Sequence, residues 1–237
     1  GIRIIGDIPL YVAYDSADVW AHPELFKLDG ELKPAKVAGV PPDYFSETGQ
    51  LWGNPVFDWA AHKKEDYRWW RTRLAQALKT YDLVRIDHFR GLDRYYEIDA
   101  GEETAVNGAW QDGPKDELFK GVDLSRIIAE DLGEMDDGVR SLIRRTGLPG
   151  MKVLLFAFDG DEDNAFLPHN IHENSVCYTG THDNDTVAGY VKSLTAEEFL
   201  LLRSRVAKEL DLVGMNIRIG QTPERFAKTL TEIAMAS

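Results

Sequence analysis

Cysteine is nearly absent from this chain, since Cys177 is the only one in 237 residues. A single thiol cannot form an intrachain disulfide, which excludes a disulfide-stapled scaffold and favours a reducing, cytoplasmic environment. Cys177 lies within the apolar run 175–178, where we expect it to be a small core side chain.

Long apolar runs and targeting signals are also missing. No stretch approaches the roughly 18 consecutive apolar residues of a membrane-spanning helix, so we expect no membrane partner. Residues 1–7 lack the pattern of a cleavable signal. They resemble the middle of a strand and contain no initiating methionine, so we expect an upstream part of the protein to be missing from this sequence.

Positive charge is scarce. The 27 Lys and Arg residues face 40 Asp and Glu residues, which gives a formal net charge of −13. Nucleic-acid partners require basic patches to neutralise phosphates, so this balance argues against them. A neutral polysaccharide makes no such demand.

What the chain does contain is an alternation of apolar runs and amphipathic stretches, typical of a parallel α/β architecture. Its length suits one barrel domain of about 250 residues. Thr195 and Glu198 have the spacing of a helix-capping box. The predicted strands are 2–5, 83–87, 127–130, 151–158 and 175–181, and the predicted helices are about 60–79, 135–146, 196–210 and a last one from Thr222-Pro223.

Residues from about 15 to 58 are irregular and rich in proline, glycine and aromatic residues. A structureless stretch of this length inside a compact domain is usually functional. We interpret it as an insertion folded over the mouth of the active site. A second loop-rich stretch is predicted at about 91–115.

Three strands end in acidic residues and imidazoles, at residues 83–88, 127–131 and 178–185. In a barrel of alternating strands and helices, the carboxyl ends of the strands face one mouth, where active sites lie. Three acids at one mouth suit the cleavage of an acetal. One carboxylate attacks the anomeric carbon, a second acid protonates the departing oxygen, and a third holds the sugar.

Arg85 and Asp87 are two residues apart on a predicted strand, so their side chains share a face. A neighbouring arginine lowers the pKa of a carboxyl group and keeps a nucleophile ionised. His88 is then placed to bond a sugar hydroxyl. The alternative is a purely structural Arg–Asp ion pair at the end of a strand.

Glu130 ends the next predicted strand. A general acid needs a raised pKa, which an apolar wall or a nearby carboxylate provides. Asp131 points elsewhere if the strand continues, and we expect it to orient a partner. The alternative is that both acids belong to a solvated polar loop.

The densest polar cluster is Thr181-His182-Asp183-Asn184-Asp185. Its oxygen-bearing side chains resemble a calcium loop, but the spacing departs from the EF-hand pattern and no glycine follows at the required place. We therefore favour sugar binding by His182 and Asp183, and expect neither a metal nor another cofactor.

Together these motifs resemble the 4-α-glucanotransferases known as amylomaltase or disproportionating enzyme, relatives of the α-amylase clan. The resemblance runs almost continuously from residue 1 to about 192 and includes a C-terminal helix. The matching stretches are 6–13, 15–20, 37–46, 49–55, 85–91, 128–133, 149–158, 175–186 and 222–232.

The resemblance implies a role for each acid. It makes Asp87 the nucleophile that forms a covalent glucosyl-enzyme, Glu130 the acid/base, and Asp183 the third acid that grips hydroxyls of the distorted sugar. The residues implied to support substrate binding are Asp7, Arg85, His88 and His182.

The segment 42–52 resembles the family's mobile loop on the acceptor side. Its rings, Tyr44, Phe45 and Trp52, would stack on sugars and help to keep water from the glucosyl-enzyme, as a transferase requires. The alternative is a small satellite core that packs this loop onto the barrel.

The chain departs from the family pattern in length. The first barrel strands and the last one are not found, and the stretch between Phe119 and Ile127 is shorter than the family's helix and strand. We therefore expect an incomplete (β/α)8 TIM barrel, with residues 1–237 forming part of the catalytic domain and residues 15–58 an insertion subdomain.

The function implied is transfer of α-1,4-glucan segments between maltooligosaccharides or starch- and glycogen-derived glucans by a retaining double displacement. A hydrolase of α-1,4-glucans would use the same acids. A catalytically inactive fragment or a glucan-binding domain is the alternative outside enzymes. The oligomeric state is left open by the sequence.

Overall fold

The computed structural model describes residues 1–43, 46–133 and 135–236. The chain forms two compact units, Gly1–Pro149 and Gly150–Ser237. The α/β class is confirmed, and within the described residues the strands form three separate sheets rather than one closed barrel.

The first unit contains seven strands and four helices among its described residues. Short 3-10 turns occupy Pro23–Leu25, Phe89–Leu92, Lys115–Phe119 and Leu124–Arg126. In chain order the elements are β1 Ile5–Ile8, α1 Ala17–Ala21, β2 Lys36–Val40, β3 Gln50–Pro55, α2 Trp59–Lys64, α3 Arg68–Thr80, β4 Leu83–Ile86, β5 Arg94–Asp99, β6 Ala109–Asp112, β7 Ile127–Ala129 and α4 Asp137–Thr146.

A three-stranded parallel sheet, β1-β4-β7, carries the candidate site. Its central strand is apolar except for Arg85, because both of its faces are covered, and Val84 and Ile86 are fully buried. The register pairs Asp7 with Arg85 and Ile86 with Ala129. Asp87 and Glu130 therefore come directly after adjacent parallel strands.

The strands predicted at 83–87 and 127–130 are confirmed, each one residue shorter at its carboxyl end. The strand predicted at 2–5 is wrong in its bounds, because the paired segment is Ile5–Ile8. Ile2 and Ile4 are 98% and 59% exposed. Pairing with β4, rather than the apolar run, sets where β1 begins.

A four-stranded antiparallel sheet, β3-β2-β5-β6, draws its strands from the two stretches predicted to be irregular. This corrects the prediction for residues 15–58 and 91–115. A Cβ at Gly39 would lie 2.2 Å from the Gln50 carbonyl oxygen, so the glycine that weakens the strand pattern permits the close approach of β3. Tyr96 and Ile98 of β5 are buried in a small core with Val37.

The helix predicted at 60–79 is two helices, α2 and α3. The helix is interrupted at Asp66 (φ 57°) and Tyr67 (φ 53°). Both residues adopt the left-handed backbone conformation, which is uncommon for residues other than glycine. The predicted apolar face is confirmed for α3, where Trp70 and Leu74 are fully buried. The break lets residues from both helices pack around Phe57.

Helix α4 follows its predicted course closely. The Asp136 side chain caps it by accepting from the Val139 N–H, and Gly147 (φ 67°) ends it. Val139 and Leu142 are buried, as the sequence predicts for its core face.

The second unit contains two parallel strands and three helices among its described residues, with 3-10 turns at Leu154–Phe156 and Pro168–Asn170. The elements are β8 Gly150–Val153, β9 Ser175–Tyr178, α5 Val187–Ser193, α6 Ala196–Val213 and α7 Pro223–Ala236. The strand predicted at 151–158 is wrong beyond Val153, because the chain turns there into a 3-10 helix.

The capping box of α6 is confirmed in both directions: Thr195 accepts from the Glu198 N–H and the Glu198 carboxylate accepts from the Thr195 N–H. Its core stripe includes the fully buried Val206, which packs with Phe226 of α7. Cys177 is half-buried against this core.

Candidate active site

One buried arginine connects two carboxylates at the carboxyl end of the parallel sheet. Arg85 is 6% exposed. Its Nη1 donates to both carboxylate oxygens of Asp7 at 2.7 Å, and its Nη2 donates to Asp87 Oδ1 at 2.6 Å. The Asp7–Arg85 contact joins β1 to β4, whereas the Arg85–Asp87 contact joins β4 to the residue that directly follows it. Charge-assisted hydrogen bonds of this kind are short and strong, so they hold both carboxylates in position.

The Asp87 side chain is 37% exposed. The Arg–Asp pair weighed from the sequence as a structural contact therefore exists, but its acidic member faces solvent, where a ligand can reach it. The Asp87 N–H donates to the Ile8 carbonyl at 2.9 Å, so the backbone of this residue is also fixed to β1.

Glu130 is held by two backbone donors. Its Oε2 accepts from the His88 N–H and its Oε1 from the Leu132 N–H, both at 2.8 Å. Burial raises the pKa of Glu130 to about 7, with a further contribution from the negative charge of Asp87, while the two backbone N–H groups and Arg85 oppose the rise. Glu130 therefore exchanges a proton near neutral pH.

His88 lies between the two acids in an unusual conformation, with φ 48° and ψ 48°. That left-handed turn is uncommon for a residue other than glycine and marks strain of the kind found at functional sites. It aims the His88 N–H at Glu130, and the next N–H, that of Phe89, donates to the Glu130 carbonyl. The main chain that directly follows Asp87 therefore fixes the position of Glu130.

The His88 ring is neutral at pH 7, because burial and the nearby charge of Arg90 lower its pKa to about 4. It meets the Trp52 ring edge to face, with 4.8 Å between centroids and 86° between planes. Trp52, from β3 of the antiparallel sheet, is 37% exposed. The structure thus brings together two of the predicted substrate-binding residues.

Tyr11 is a residue to which the sequence motifs gave no role. Its ring centroid lies 6.2 Å from Trp52 and 6.4 Å from His88. Its buried hydroxyl has no hydrogen-bond partner among the described residues. The only sequence signal is its position in the segment 6–13, four residues after Asp7.

Two of the remaining predicted residues belong to the second unit, and two are not described. In the second unit, His182 Nε2 lies 3.4 Å from Asp183 Oδ1, and both side chains are about two-thirds exposed, at 68% and 67%. Asn184 Oδ1 accepts from Thr181 Oγ1 at 3.1 Å. Tyr44 and Phe45 lie outside the described residues.

The acidic residues of the segment 181–185 are spaced differently from those of an EF-hand calcium loop. Within residues 1–43, 46–133 and 135–236, the structure contains no group of three or more His, Cys, Asp or Glu side chains arranged to hold a metal ion. In the same part of the chain, no helix combines the length and the apolar character needed to cross a membrane.

The first unit therefore offers two carboxyl groups with different properties. Asp87 is ion-paired to an arginine and accessible, while Glu130 is sheltered and titrates near pH 7. Paired carboxyl groups whose surroundings separate their behaviour in this way are typical of nucleophile and acid/base pairs in glycoside chemistry.

Comparison with known proteins assigns this architecture to a family. The sequence profile of the 4-alpha-glucanotransferases matches residues 1–237, and the chain belongs to that family. It is 52% identical over 202 residues to a 4-alpha-glucanotransferase of Clostridium butyricum, which covers 83% of this chain and 42% of the relative. It is 54% identical over 204 residues to that of Thermus thermophilus, with 84% and 41% covered.

A solved structure of similar fold is the amylomaltase from Streptococcus agalactiae in complex with acarbose. It superposes with a TM-score of 0.85 at 40% identity, covering 98% of this chain and 46% of that one. The amylomaltase of Corynebacterium glutamicum, at 21% identity and a TM-score of 0.69, shares the fold. The chain thus spans less than half the length of these relatives.

Proposed function

We propose that the protein is a 4-α-glucanotransferase that moves α-1,4-glucan segments between maltooligosaccharides or starch-derived glucans. The observation that carries this proposal is the pairing of Asp87, which accepts a hydrogen bond from the Arg85 guanidinium, with Glu130, whose pKa is about 7. The family to which the chain belongs supports it. The acarbose bound by the Streptococcus agalactiae amylomaltase supports a saccharide ligand.

In the first step, the Asp87 carboxylate attacks the anomeric carbon of the donor glucan. The glycosidic C–O bond breaks, and Glu130 gives its proton to the departing oxygen. Asp87 is left as a glycosyl ester and Glu130 as a carboxylate.

In the second step, Glu130 takes the proton of an acceptor hydroxyl as that oxygen attacks the same anomeric carbon. The ester bond to Asp87 breaks, a new glycosidic bond forms, and both acids return to their starting states. Two displacements at one carbon retain its configuration.

The other residues have supporting roles in this proposal. Asp7 acts through Arg85, which it binds with both carboxylate oxygens. His88 and Trp52 form one wall of the substrate site. Asp183 and His182 grip sugar hydroxyls, a role that rests on their match to the family motif. Tyr44 and Phe45 stack on the acceptor.

We further infer that the parallel strands of each unit belong to a (β/α)8 barrel of which residues 1–237 carry a part. The parallel order β1-β4-β7, the helix α3 that precedes β4 and the helix α4 that follows β7 support this inference. The antiparallel sheet formed largely by residues 36–55 and 94–112 is then the insertion that carries Trp52 beside the acids.

Incubation of the full-length protein with maltotriose tests the activity. Transfer should yield both glucose and products longer than maltotriose, because the glucosyl-enzyme is captured by a second sugar. Chromatography of the products over time measures this. Glucose and maltose without any longer product would identify a hydrolase instead, and no change in maltotriose would contradict both enzymatic functions.

Loss of the two loop rings should shift the balance between transfer and hydrolysis. A stacked aromatic contact contributes about 0.5–1.5 kcal/mol, so Tyr44→Ala with Phe45→Ala should lower the transfer-to-hydrolysis ratio about tenfold. Water then competes better for the glucosyl-enzyme. Tyr14→Ala, at a 44% exposed ring, is the matched control. An unchanged ratio in the double variant would show that the loop is scaffold.

A further inference from the structure

A cleft of about 340 Å³ lies between α1 and the beginning of α3, in the first unit. None of its lining residues belongs to the candidate active site. Asp18 of α1 and His22, which directly follows that helix, line one side, and residues at the beginning of α3 line the other. The largest ring in that wall is Trp69, which is half-buried.

The α3 wall has a regular pattern. Arg68, Trp69 and Thr72 lie in the first turns of α3, where residues three and four apart share a face, and Glu65 precedes the break before that helix. The Glu65 carboxylate accepts from the Trp69 N–H at 3.2 Å and from Arg68 Nη2 at 3.3 Å. These contacts hold an acid and a base side by side along the cleft.

Arg73 also lines the cleft. Its guanidinium carbon lies 4.9 Å from the Trp70 ring centroid and 5.3 Å from that of Trp69, a cation–π arrangement that fixes its orientation. Burial lowers the pKa of Arg73 to about 10, an effect that the charge of Asp18 opposes. The group remains a cation at neutral pH.

The charges of the cleft balance. Asp18 and Glu65 supply two carboxylates, and Arg68 and Arg73 supply two guanidinium groups. Phosphates and other anions would gain little from a neutral lining, whereas a sugar offers vicinal hydroxyls that both donate and accept. An aromatic wall complements the apolar C–H face of a sugar ring, and a few polar groups then fix its orientation.

The strained break between α2 and α3 lies at the edge of this cleft. Asp66 and Tyr67 both have positive φ, and a non-glycine residue in that region costs of order 1–3 kcal/mol. The Tyr67 hydroxyl donates to Glu117 Oε2 at 3.1 Å and so helps to hold the break. The break sets the direction of α3, and with it the face that lines the cleft.

We propose that this cleft is a second saccharide site, which binds a segment of neutral α-glucan over Trp69 and between the Asp18 and Arg68 side chains. The inference rests on the proposed function, because the polymeric substrate supplies the ligand. A glucan long enough to occupy the cleft and the active site together binds its second site at a raised effective concentration. A trisaccharide gains nothing from the cleft.

Filling the cleft tests the proposal. Thr72 is an exposed lining residue, so Thr72→Trp should block the cleft without disturbing the core, while Gln76→Trp places the same ring one turn further along α3. Maltoheptaose binding is measured by calorimetry in full-length protein carrying Asp87→Asn, so that the sugar is not consumed. The Asp87→Asn protein should show two binding events, both without a further change and with Gln76→Trp added. With Thr72→Trp added, it should show one.

Kinetics give the second readout, with Asp87 intact. Thr72→Trp should raise KM for amylose about tenfold, as expected when a tethering site is lost, and leave kcat for amylose and turnover of maltotriose unchanged. Arg68→Ala, which removes a donor without filling the cleft, should change KM in the same direction by a smaller factor.

The outcomes separate the two proposals. Equal maltoheptaose binding by the Thr72→Trp and Gln76→Trp proteins would overturn the second site, as would an equal loss of activity on amylose and maltotriose. If the unmodified protein transfers no glucan but Thr72→Trp still removes one binding event, the proposed reaction is wrong and the saccharide site stands.

Discussion

Asp87→Asn should abolish glucan transfer by the full-length protein. An amide does not form the glycosyl ester, so the covalent route is lost. The fold should persist, because the amide is nearly isosteric with the carboxylate it replaces and Arg85 keeps both contacts to Asp7. Transfer rates and thermal melting curves of the variant and of the unmodified protein measure the two effects.

The matched control is Asp112→Asn, the same change at a side chain that is 77% exposed and paired only with Lys115 in the contacts described. It should keep full activity. Residual transfer above about one per cent in the Asp87→Asn protein, equivalent to a barrier increase below about 2.7 kcal/mol, would remove Asp87 from the role of nucleophile.

Glu130→Gln should remove both most of the activity and its dependence on pH near 7. Glu130 must be protonated in the first step, so kcat/KM for the unmodified protein should fall as pH rises through the Glu130 pKa of about 7. Glutamine supplies no transferable proton, so the variant should be slower by about a hundredfold or more and its alkaline limb should disappear. An alkaline limb that persists in the variant would assign it to another group.

The same raised pKa makes a prediction about stability. The folded state holds the Glu130 proton more tightly than the unfolded chain, so this group's contribution is fully present below the unfolded pKa and is lost as pH rises through about 7. The loss amounts to at most about 3 kcal/mol before solvent screening. Denaturant unfolding between pH 5 and pH 8 should therefore show a steeper decline for the unmodified protein than for Glu130→Gln. Equal slopes would contradict the buried, protonated state of Glu130.

The parallel strands were predictable because burial on both faces leaves a simple signal. Residues 83–86 and 127–129 are largely apolar runs that lead into acids, and the structure contains strands there. Their acids were found for the same reason, since a charged residue directly after a buried strand stands out against its surroundings.

The sequence does not predict the antiparallel sheet, because glycine, proline and polar residues interrupt the apolar pattern of its strands. β3 contains Gly53 and Pro55, and β6 is the polar segment 109–112. A sheet with one face exposed tolerates such residues. The break between α2 and α3 contains no proline or glycine that would predict it from the sequence. It depends instead on tertiary packing around Phe57.

The sequence pattern does not predict contacts in the site between residues that are far apart in the chain. Trp52 and His88 are far apart in the chain, and no periodicity relates a strand of one sheet to a turn after another. The edge-to-face contact between them depends on how the two sheets meet within the first unit. Tyr11 was missed for the same reason, although it lies inside a matching segment.

The Arg85 fork also constrains how the sheet assembles. Arg85 reaches Asp7 on the neighbouring strand only when Ile5 pairs with Leu83 and Ile8 with Ile86. A slip of β1 by one residue would turn Asp7 to the opposite face and leave a buried cation with one acid fewer. The ion pairs that hold Asp87 in place therefore also disfavour chains in which β1 is paired out of register. Correct strand alignment and a chemically competent carboxylate arise in a single event, so a population of folded molecules with a mispaired, inactive centre should not accumulate.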